Sequence, residues 1–152
     1  MNVEAKLQEL GIVLPPPPKP VANYVPSVMT GNLLFLSGHG PVKDGKLAYV
    51  GKVGSQLTIE QGYEAARLTA LNCLASAQAA LGTLNRVRRV VKVTGFVNSA
   101  PGFTNQPQVI NGTSDLLGEL FGEAGRHARS AVGMAELPFG IAVEVEMVLE
   151  VE

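Results

Sequence analysis

The sequence predicts a single α+β domain in which two long amphipathic helices cover one face of a sheet of about six strands. The first of these helices follows Thr58, which forms a capping-box pattern with Gln61, and its apolar positions recur at helical spacing as far as Leu81. The last strand is the run from Ile141 to Val151, in which every odd position is apolar and most even positions are glutamate. We therefore expect the odd side chains of this strand to face the core.

The segments between these two elements supply a further helix and two further strands. Val87 to Val97 is rich in β-branched residues and predicts a strand. Apolar positions from Val109 to Phe121, with Pro107 near their start, predict the second long helix. The run Ser130 to Met134 is predicted to pair with the last strand as an antiparallel hairpin. Both helices then cover one face of the sheet, and oligomerisation is the economical way to bury the other face.

Residues 1–20 are predicted to form an N-terminal helix and a proline-rich connector within the same domain, which spans residues 1–152. Asn2 to Leu10 has the apolar spacing of a short one-faced helix. Leu14 to Pro20 has the sequence LPPPPKP, which fixes the backbone angle φ and removes hydrogen-bond donors. We interpret it as a semi-rigid connector, with a ligand for a proline-binding partner as the alternative. Tyr24 to Val50 then predicts short strands separated by glycine turns.

Composition and charge narrow the classes of function. The chain has 12 basic and 13 acidic residues and a net charge of -1, which argues against a nucleic-acid or anionic-membrane partner. No apolar run approaches membrane-spanning length and no signal-peptide core is present, so we expect a cytoplasmic protein. Cys73, the single cysteine, lies among Leu and Ala in a helical pattern and is interpreted as a reduced core thiol. With only His39 and His127 available, we expect no metal site.

Arg129 and Glu144 are the candidate functional residues that the pattern itself indicates. Arg129 stands at the entrance of a predicted strand, and its planar guanidinium suits bidentate binding of a substrate carboxylate. Glu144 lies on the even face of the last strand and approaches Arg129 if the two strands pair, where it could hold a water molecule or transfer a proton. A surface arginine with a structural role and a solvated strand carboxylate are the alternatives.

Three groups of motifs follow one another along the chain in an ordered combination. The first group is Tyr24-Val25, Thr30-Gly31-Asn32 and the segment LSGHGPV from Leu36 to Val42. The second is Asn111-Gly112-Thr113 on the second long helix. The third is Arg129-Ser130-Ala131-Val132, Leu137-Pro138 and Val143-Glu144-Val145-Glu146. Together they resemble the signature of RidA/YjgF proteins, over a region from about Val21 to Glu150.

The resemblance implies a chorismate-mutase-like domain of the bacillus type with a mixed sheet, assembled as a homotrimer with clefts between subunits. In similar proteins the residue matching Arg129 binds the carboxylate of a reactive enamine or imine, which water hydrolyses to a 2-keto acid and ammonia. The glutamate matching Glu144 positions or activates that water, and no cofactor is required. The expected partners are a small carboxylate-bearing imine, enamine or keto acid and further copies of this chain. The substrate-binding residues that the resemblance implies are Tyr24, Ser37, Gly38, His39, Asn111 and Arg129.

The sequence also departs from the family pattern. The N-terminal helix and connector are additional, His39 stands where typical deaminases have glutamine, and Gly133 to Glu136 replaces a charged-apolar alternation. These features resemble a longer branch of the family. We interpret His39 as a turn histidine bonded to the backbone, with a catalytic base as the alternative.

Two other functions compete with the deaminase. One is a non-catalytic trimer that binds small carboxylate metabolites in the same clefts. The other is ribonuclease activity, which has been attributed to relatives; the neutral charge and the sparse aromatic residues (5%) argue against it.

Overall fold

The computed structural model describes residues 1–20 and 22–152, so Val21, where the family resemblance begins, lies outside the described residues. The helices are α1 Val3–Glu9, α2 Ile59–Leu81 and α3 Gln106–Phe121. The strands are β1 Ser27–Thr30, β2 Leu33–His39, β3 Val42–Lys43, β4 Lys46–Leu47, β5 Val87–Asn98, β6 Ala128–Met134 and β7 Val143–Val151. Short 3-10 helices lie at Leu84–Arg86, Gly122–Gly125 and Pro138–Gly140. Among the described residues, no helix is both long enough and apolar enough to cross a membrane.

Five strands form one sheet in the order β1-β2-β7-β5-β6, and β3 pairs with β4 in a separate ribbon. Neighbours in the sheet are antiparallel except for β5 and β6, which are parallel. The parallel pairing follows from the connection through α3, because a crossover helix returns the chain so that the next strand runs in the same direction. The α+β class and the mixed sheet are as predicted, with a main sheet of five strands where the sequence predicts about six.

The predicted hairpin between the run Ser130 to Met134 and the last strand is wrong. That run lies in β6, and β5 separates β6 from β7. The intervening segment 135–142 passes the end of β5, where Ile141 forms an isolated bridge with Val50 and Asn98 N–H donates to the carbonyl of Ala142. This connection is longer than a tight hairpin turn, and it brings the last strand to the opposite side of β5.

The core lies between the sheet and the helices α2 and α3. As the alternation predicts, the odd residues of β7 are buried: Val143, Val145, Met147, Leu149 and Val151. Helix α2 packs on this face, and it begins with the predicted capping box between Thr58 and Gln61. Cys73 on α2 is fully buried, and burial raises the pKa of its thiol. Its interpretation as a core thiol is confirmed, and burial of this kind disfavours reaction, because reactivity requires an accessible thiolate.

Helices α2 and α3 approach each other closely at Gly112. A Cβ atom at this position would lie 2.0 Å from the carbonyl oxygen of Tyr63, well inside van der Waals contact. The next residue, Thr113, donates from its hydroxyl to the carbonyl of Ala66 over 2.8 Å. Glycine at position 112 therefore allows the backbone of α3 to rest directly on the backbone of α2.

Helix α1 is docked on the body of the domain. Val3 and Leu7 are buried against it, in agreement with the predicted one-faced pattern. The Glu4 carboxylate accepts hydrogen bonds from Leu84 N–H, Gln78 Nε2 and Thr83 Oγ1. Burial on its own raises the pKa of Glu4, but these hydrogen bonds outweigh burial and the pKa is lowered. Glu4 thereby anchors α1 to the turn between α2 and β5.

The face of the sheet away from the helices carries exposed apolar side chains. Residues paired in register share a face, so Phe35, which is opposite both Val148 and Val28, lies on this side together with them. Val28 is 54% exposed and Phe35 is 43% exposed. Val132 on β6 is on the same face and is 40% exposed. Val28, Phe35 and Val148 form one row across β1, β2 and β7, whereas Val132 stands further along the same face, in the row of Phe96 and Glu144. We call Val28, Phe35, Val148 and Val132 together the apolar strip; exposed apolar side chains of this kind suit contact with another protein chain.

Candidate functional site

A cavity of about 400 Å³ lies between the N-terminal connector and the strands β2 and β7. Its wall contains five of the residues predicted for the site: Tyr24, Ser37, Gly38, His39 and Glu144. The connector contributes Pro18, Lys19 and Pro20, and the segment before β7 contributes Pro138, Phe139 and Ile141. The connector is therefore a wall of the cavity as well as a spacer, which the sequence does not predict.

An irregularity in β2 shapes the cavity. The register of β2 against β7 shifts after Leu36. Ser37 Oγ donates to the carbonyl of Val25 over 2.6 Å, which ties the irregular segment to the residues before β1. A Cβ atom at Gly38 would lie 2.6 Å from Oε2 of Glu144. Glycine at this position therefore leaves room for the carboxylate beside the backbone of β2.

Glu144 projects from β7 into this cavity. It lies between the buried residues Val143 and Val145, so its side chain points away from α2 and α3. The side chain is half-buried; burial raises the pKa of its carboxyl, and the charge of Glu146 adds to the rise. A glutamate with a raised pKa exchanges its proton closer to neutral pH than an ordinary glutamate does.

Arg129 belongs to a second group of polar side chains, where β6 meets α3. Its Nη1 donates to Asn111 Oδ1 over 2.8 Å and to Ser114 Oγ over 3.1 Å. Its Nη2 donates to the carbonyl of Pro107 over 3.4 Å. Two residues predicted for the site, Asn111 and Arg129, are thus in direct contact. Sequence reasoning misses Ser114, because a serine within a helix gives no functional signal without a known neighbour.

His39 and His127 share one hydrogen-bonding arrangement. In each, Nδ1 lies 2.6 Å from the carbonyl oxygen of the residue two positions earlier. Nε2 of His39 lies 2.7 Å from Ser76 Oγ, and Nε2 of His127 lies 2.9 Å from Ser114 Oγ. Because a carbonyl only accepts, Nδ1 carries the proton and Nε2 accepts from the serine. His39 is thus bonded to the backbone, and both of its ring nitrogens are already occupied.

These two histidines lead us to expect a loss of stability in acid. Burial lowers the pKa of both rings, and the charge of Arg129 lowers that of His127 further, while the backbone hydrogen bonds act in the opposite direction. The unfolded chain therefore binds protons first, near the ordinary pKa of 6.5, so stability is complete above this pH and is lost as the pH falls below it. We expect the Tm to fall between about pH 7 and about pH 5.

The measurement is a series of thermal melts across this pH range on wild type and on the variant His39→Gln/His127→Gln. The variant lacks both titrating rings, so its Tm should depend less on pH. Glu144 acts with the opposite sign, because its raised pKa favours the folded state as the pH falls, and it is present in both proteins. If the Tm of both proteins depended on pH to the same extent, His39 and His127 would not be the cause of the loss of stability in acid.

Arg129 and Glu144 lie on opposite faces of the sheet within one chain. Arg129 is in register with Val93, which is buried beneath the helices, whereas Glu144 is in register with Phe96 on the other face. The prediction that strand pairing brings Glu144 to Arg129 is therefore wrong, because β5 lies between their strands. The candidate site residues of one chain therefore form two separate groups, which we call half-sites. The Glu144 half-site is Tyr24, Ser37, Gly38, His39 and Glu144, and the Arg129 half-site is Asn111, Ser114, His127 and Arg129.

Neither half-site has the donor set of a metal centre. Among the described residues, no three His, Cys, Asp or Glu side chains come together in a group that could hold a metal ion. The Arg129 half-site offers guanidinium N–H groups, which suit an anion, and the Glu144 half-site offers a single carboxylate.

Comparison with known proteins agrees with the fold and with the motifs. Residues 4–150 match the family model described as "YjgF/chorismate_mutase-like, putative endoribonuclease". Protein TCP17 of Trypanosoma cruzi is 51% identical over 150 residues, which cover 98% of this chain and 94% of TCP17. The crystal structure of Atu1372 from Agrobacterium tumefaciens, a protein described as having unknown function, is 48% identical with a TM-score of 0.92, over 99% of this chain and 92% of that one.

A more distant structure shows the same fold. The YjgF gene product of E. coli is 26% identical with a TM-score of 0.64, and the match covers 88% of this chain and 92% of that chain. The family model covers nearly the whole sequence, and TCP17 is related over nearly its full length. The resemblance to RidA/YjgF proteins is thereby confirmed, and the chain belongs to the YjgF/chorismate-mutase-like family.

Proposed function

We propose that this chain is a hydrolytic deaminase of reactive 2-aminoacrylate-like enamines and imines, which it converts to 2-keto acids and ammonia. The observation that carries the proposal is the chemistry of its two half-sites. The guanidinium of Arg129 suits a substrate carboxylate, and the half-buried carboxyl of Glu144, with its raised pKa, suits proton transfer with water. The cavity beside Glu144 has the size of a site for a small metabolite.

In this proposal the two half-sites meet between neighbouring copies of the chain. The sheet separates Arg129 from Glu144 within one chain, so a single copy offers only half of each cleft. A ring of three copies would join the Glu144 half-site of each copy to the Arg129 half-site of the next. The apolar strip supports such an assembly, since another copy would cover it. Light scattering tests it: a mass near one chain, 16.0 kDa, would contradict the shared cleft.

The proposed reaction needs little covalent assistance, because an iminium carbon is already electrophilic. Arg129 holds the substrate carboxylate and so orients the C=N carbon. Glu144 takes a proton from water as the water oxygen bonds to that carbon, and the C=N electron pair moves to nitrogen. Glu144 returns the proton to nitrogen and then takes the hydroxyl proton as the C–N bond breaks. The keto acid forms, and ammonia leaves as ammonium with that proton, so one water is consumed in each turnover.

A non-catalytic trimer that binds small carboxylates is the second candidate, and the same guanidinium favours it. Thermal stabilisation by a keto acid without any release of ammonia would support it. Ribonuclease activity, which the description of the family model mentions, is disfavoured by the net charge of -1. RNA binding that weakens steeply with salt would revive it.

The experiment that tests the deaminase measures keto-acid and ammonia release when the purified protein is added to a serine/threonine dehydratase or amino-acid oxidase reaction. Glu144→Gln keeps the shape of the side chain but removes the base, so we expect the accelerated release to fall by about 100-fold. The Tm of this variant should not fall, because burial opposes the charge of Glu144 in the folded state. No acceleration by wild type with any of several amino acids would contradict the deaminase, and an unchanged rate in Glu144→Gln would contradict the role of Glu144.

The pH profile provides a matched control. Because the pKa of Glu144 is raised, wild-type activity should decline on the acid side at a higher pH than an ordinary glutamate would cause. Glu146→Gln removes the neighbouring charge that adds to this rise. It should retain activity and move the acid decline to lower pH.

A further inference from the structure

The guanidinium of Arg129 is hydrogen-bonded to its own chain chiefly through Nη1, whereas the edge formed by Nε and Nη2 is largely free of hydrogen bonds to the described residues. Both protons of Nη1 are used, one on Asn111 Oδ1 and one on Ser114 Oγ. Nη2 uses one of its two protons in the long 3.4 Å hydrogen bond to the carbonyl of Pro107. Among the described residues, Nε makes no hydrogen bond. A carboxylate bound in two places needs two parallel N–H groups, so the edge formed by Nε and Nη2 is the one that remains for it.

Ser114 is itself held in a single orientation by His127. The Ser114 oxygen accepts from Arg129, so its own proton must point elsewhere, and Nε2 of His127 lies 2.9 Å away. Nδ1 of His127 donates to the carbonyl of Gly125 over 2.6 Å, which leaves Nε2 as an acceptor. The donors therefore run in one direction, from Arg129 to Ser114 to His127, and then to the backbone. A chain of this kind fixes each member more firmly than a single hydrogen bond does.

We propose that Ser114, oriented by His127, is a positioning residue that fixes the guanidinium of Arg129 so that its Nε–Nη2 edge receives the substrate carboxylate side-on. The inference rests on the proposed role of Arg129 as the carboxylate anchor. It goes beyond that role because neither Ser114 nor His127 belongs to the motifs that carry the family resemblance. The ligand is defined here by its planar carboxylate, which must approach from the side of Nε.

The first test observes the guanidinium directly, without a ligand. In ¹⁵N-labelled protein, restricted rotation keeps the Nη1 and Nη2 signals of Arg129 apart, and Arg129→Lys identifies these signals by removing them. We expect Ser114→Ala to accelerate rotation about the Nε–Cζ bond, which exchanges Nη1 with Nη2, by about tenfold, the effect of losing one charge-assisted hydrogen bond. Ser114→Thr retains a hydroxyl and should keep the slow rotation. Wild-type signals in Ser114→Ala would overturn the proposal.

The His39 and Ser76 pair offers a matched control, because it has the same arrangement without an arginine. Ser76→Ala should leave the Arg129 signals unchanged. His127→Phe removes the acceptor for the Ser114 hydroxyl, so it should also accelerate rotation of the Arg129 guanidinium. The same substitution made in Ser114→Ala, which gives the double variant Ser114→Ala/His127→Phe, should cause no further acceleration. Additive effects of the two substitutions would show that His127 does not act through Ser114, and would overturn the chain of donors.

The second test measures binding of 2-oxobutanoate by calorimetry. We expect Ser114→Ala to raise the Kd by about tenfold and Ser114→Thr to restore it, while the neutral amide of the same acid binds wild type and variant alike. A wild-type Kd in Ser114→Ala together with unchanged Arg129 signals would end this inference and leave the deaminase proposal intact. Weakened binding in a protein that releases no ammonia would end the deaminase proposal and leave this inference intact.

Discussion

Alanine in place of Arg129 is expected to abolish deaminase turnover, with a loss of about 100-fold or more in kcat/KM. The variant removes the only group in its half-site that can bind a carboxylate in two places, so the substrate is no longer oriented for attack by water. The loss should come without a loss of assembly, because Arg129 lies beside α3 and not on the apolar strip. The measurement is keto-acid and ammonia release, with light scattering on the same samples.

Arg126→Ala is the matched control for this prediction. Arg126 is an exposed arginine three positions earlier, and it forms an ion pair with the exposed Glu123. The substitution Arg126→Ala removes the same formal charge from the same region as Arg129→Ala does, and its activity should remain near the wild-type level. Persistent turnover in Arg129→Ala would remove the proposed mechanism. An equal loss in both variants would show that the local charge, and not a carboxylate clamp, supports the activity.

The second large effect is expected from Gly112→Ala, which should destabilise the fold. Alanine normally favours a helix over glycine, but here its Cβ would lie 2.0 Å from the carbonyl oxygen of Tyr63. The obstacle is backbone, so it cannot rotate aside, and the two helices must separate. Overpacking of this kind costs about 3 kcal/mol, which lowers the Tm of a domain of this size by roughly 6–12 °C. Thermal melts followed by circular dichroism measure it.

Gly118→Ala on the same helix is the control that distinguishes the effect of the close contact on stability from the effect of helix propensity. Gly118 is exposed, and no atom of the described residues lies within 4 Å of the position that a Cβ would take. This variant should therefore stabilise the domain by about 0.5–1 kcal/mol. If both substitutions changed the Tm in the same direction, the contact between Gly112 and Tyr63 would not be the cause.

The fold could be predicted from the sequence where the signal is local. The capping box at Thr58, the buried odd positions of β7 and the short N-terminal helix depend on spacing within one segment, and all are observed. The partner of β6 depends on how the chain crosses the sheet, and the residues 130–134 contain no information on it. Alternation shows that a segment is a strand, but it does not distinguish a hairpin neighbour from a parallel partner reached through a helix.

The site was predictable to the extent that its residues lie in recognisable motifs. Tyr24, Ser37, Gly38 and Glu144 gather around one cavity, and Asn111 contacts Arg129. Their division between the two faces of the sheet could not be foreseen, because it follows from the position of β5 between β6 and β7. Ser114 escaped notice because its role depends on two neighbours distant in sequence, Arg129 and His127.

Because the proline connector forms part of the cavity wall, the residues that shape the cavity are in part different from the residues that hold Glu144 in position. The connector is held at its start through α1, where Glu4 is bonded to the turn after α2, and its later residues Pro18 and Pro20 line the cavity. This wall belongs to no strand of the sheet, so substitutions or changes of length in it can alter the shape of the cavity while β2 and β7 keep Glu144 in place. Ligand preference can therefore change through substitutions in the connector while the strands β6 and β7 continue to hold Arg129 and Glu144, one residue of each half-site.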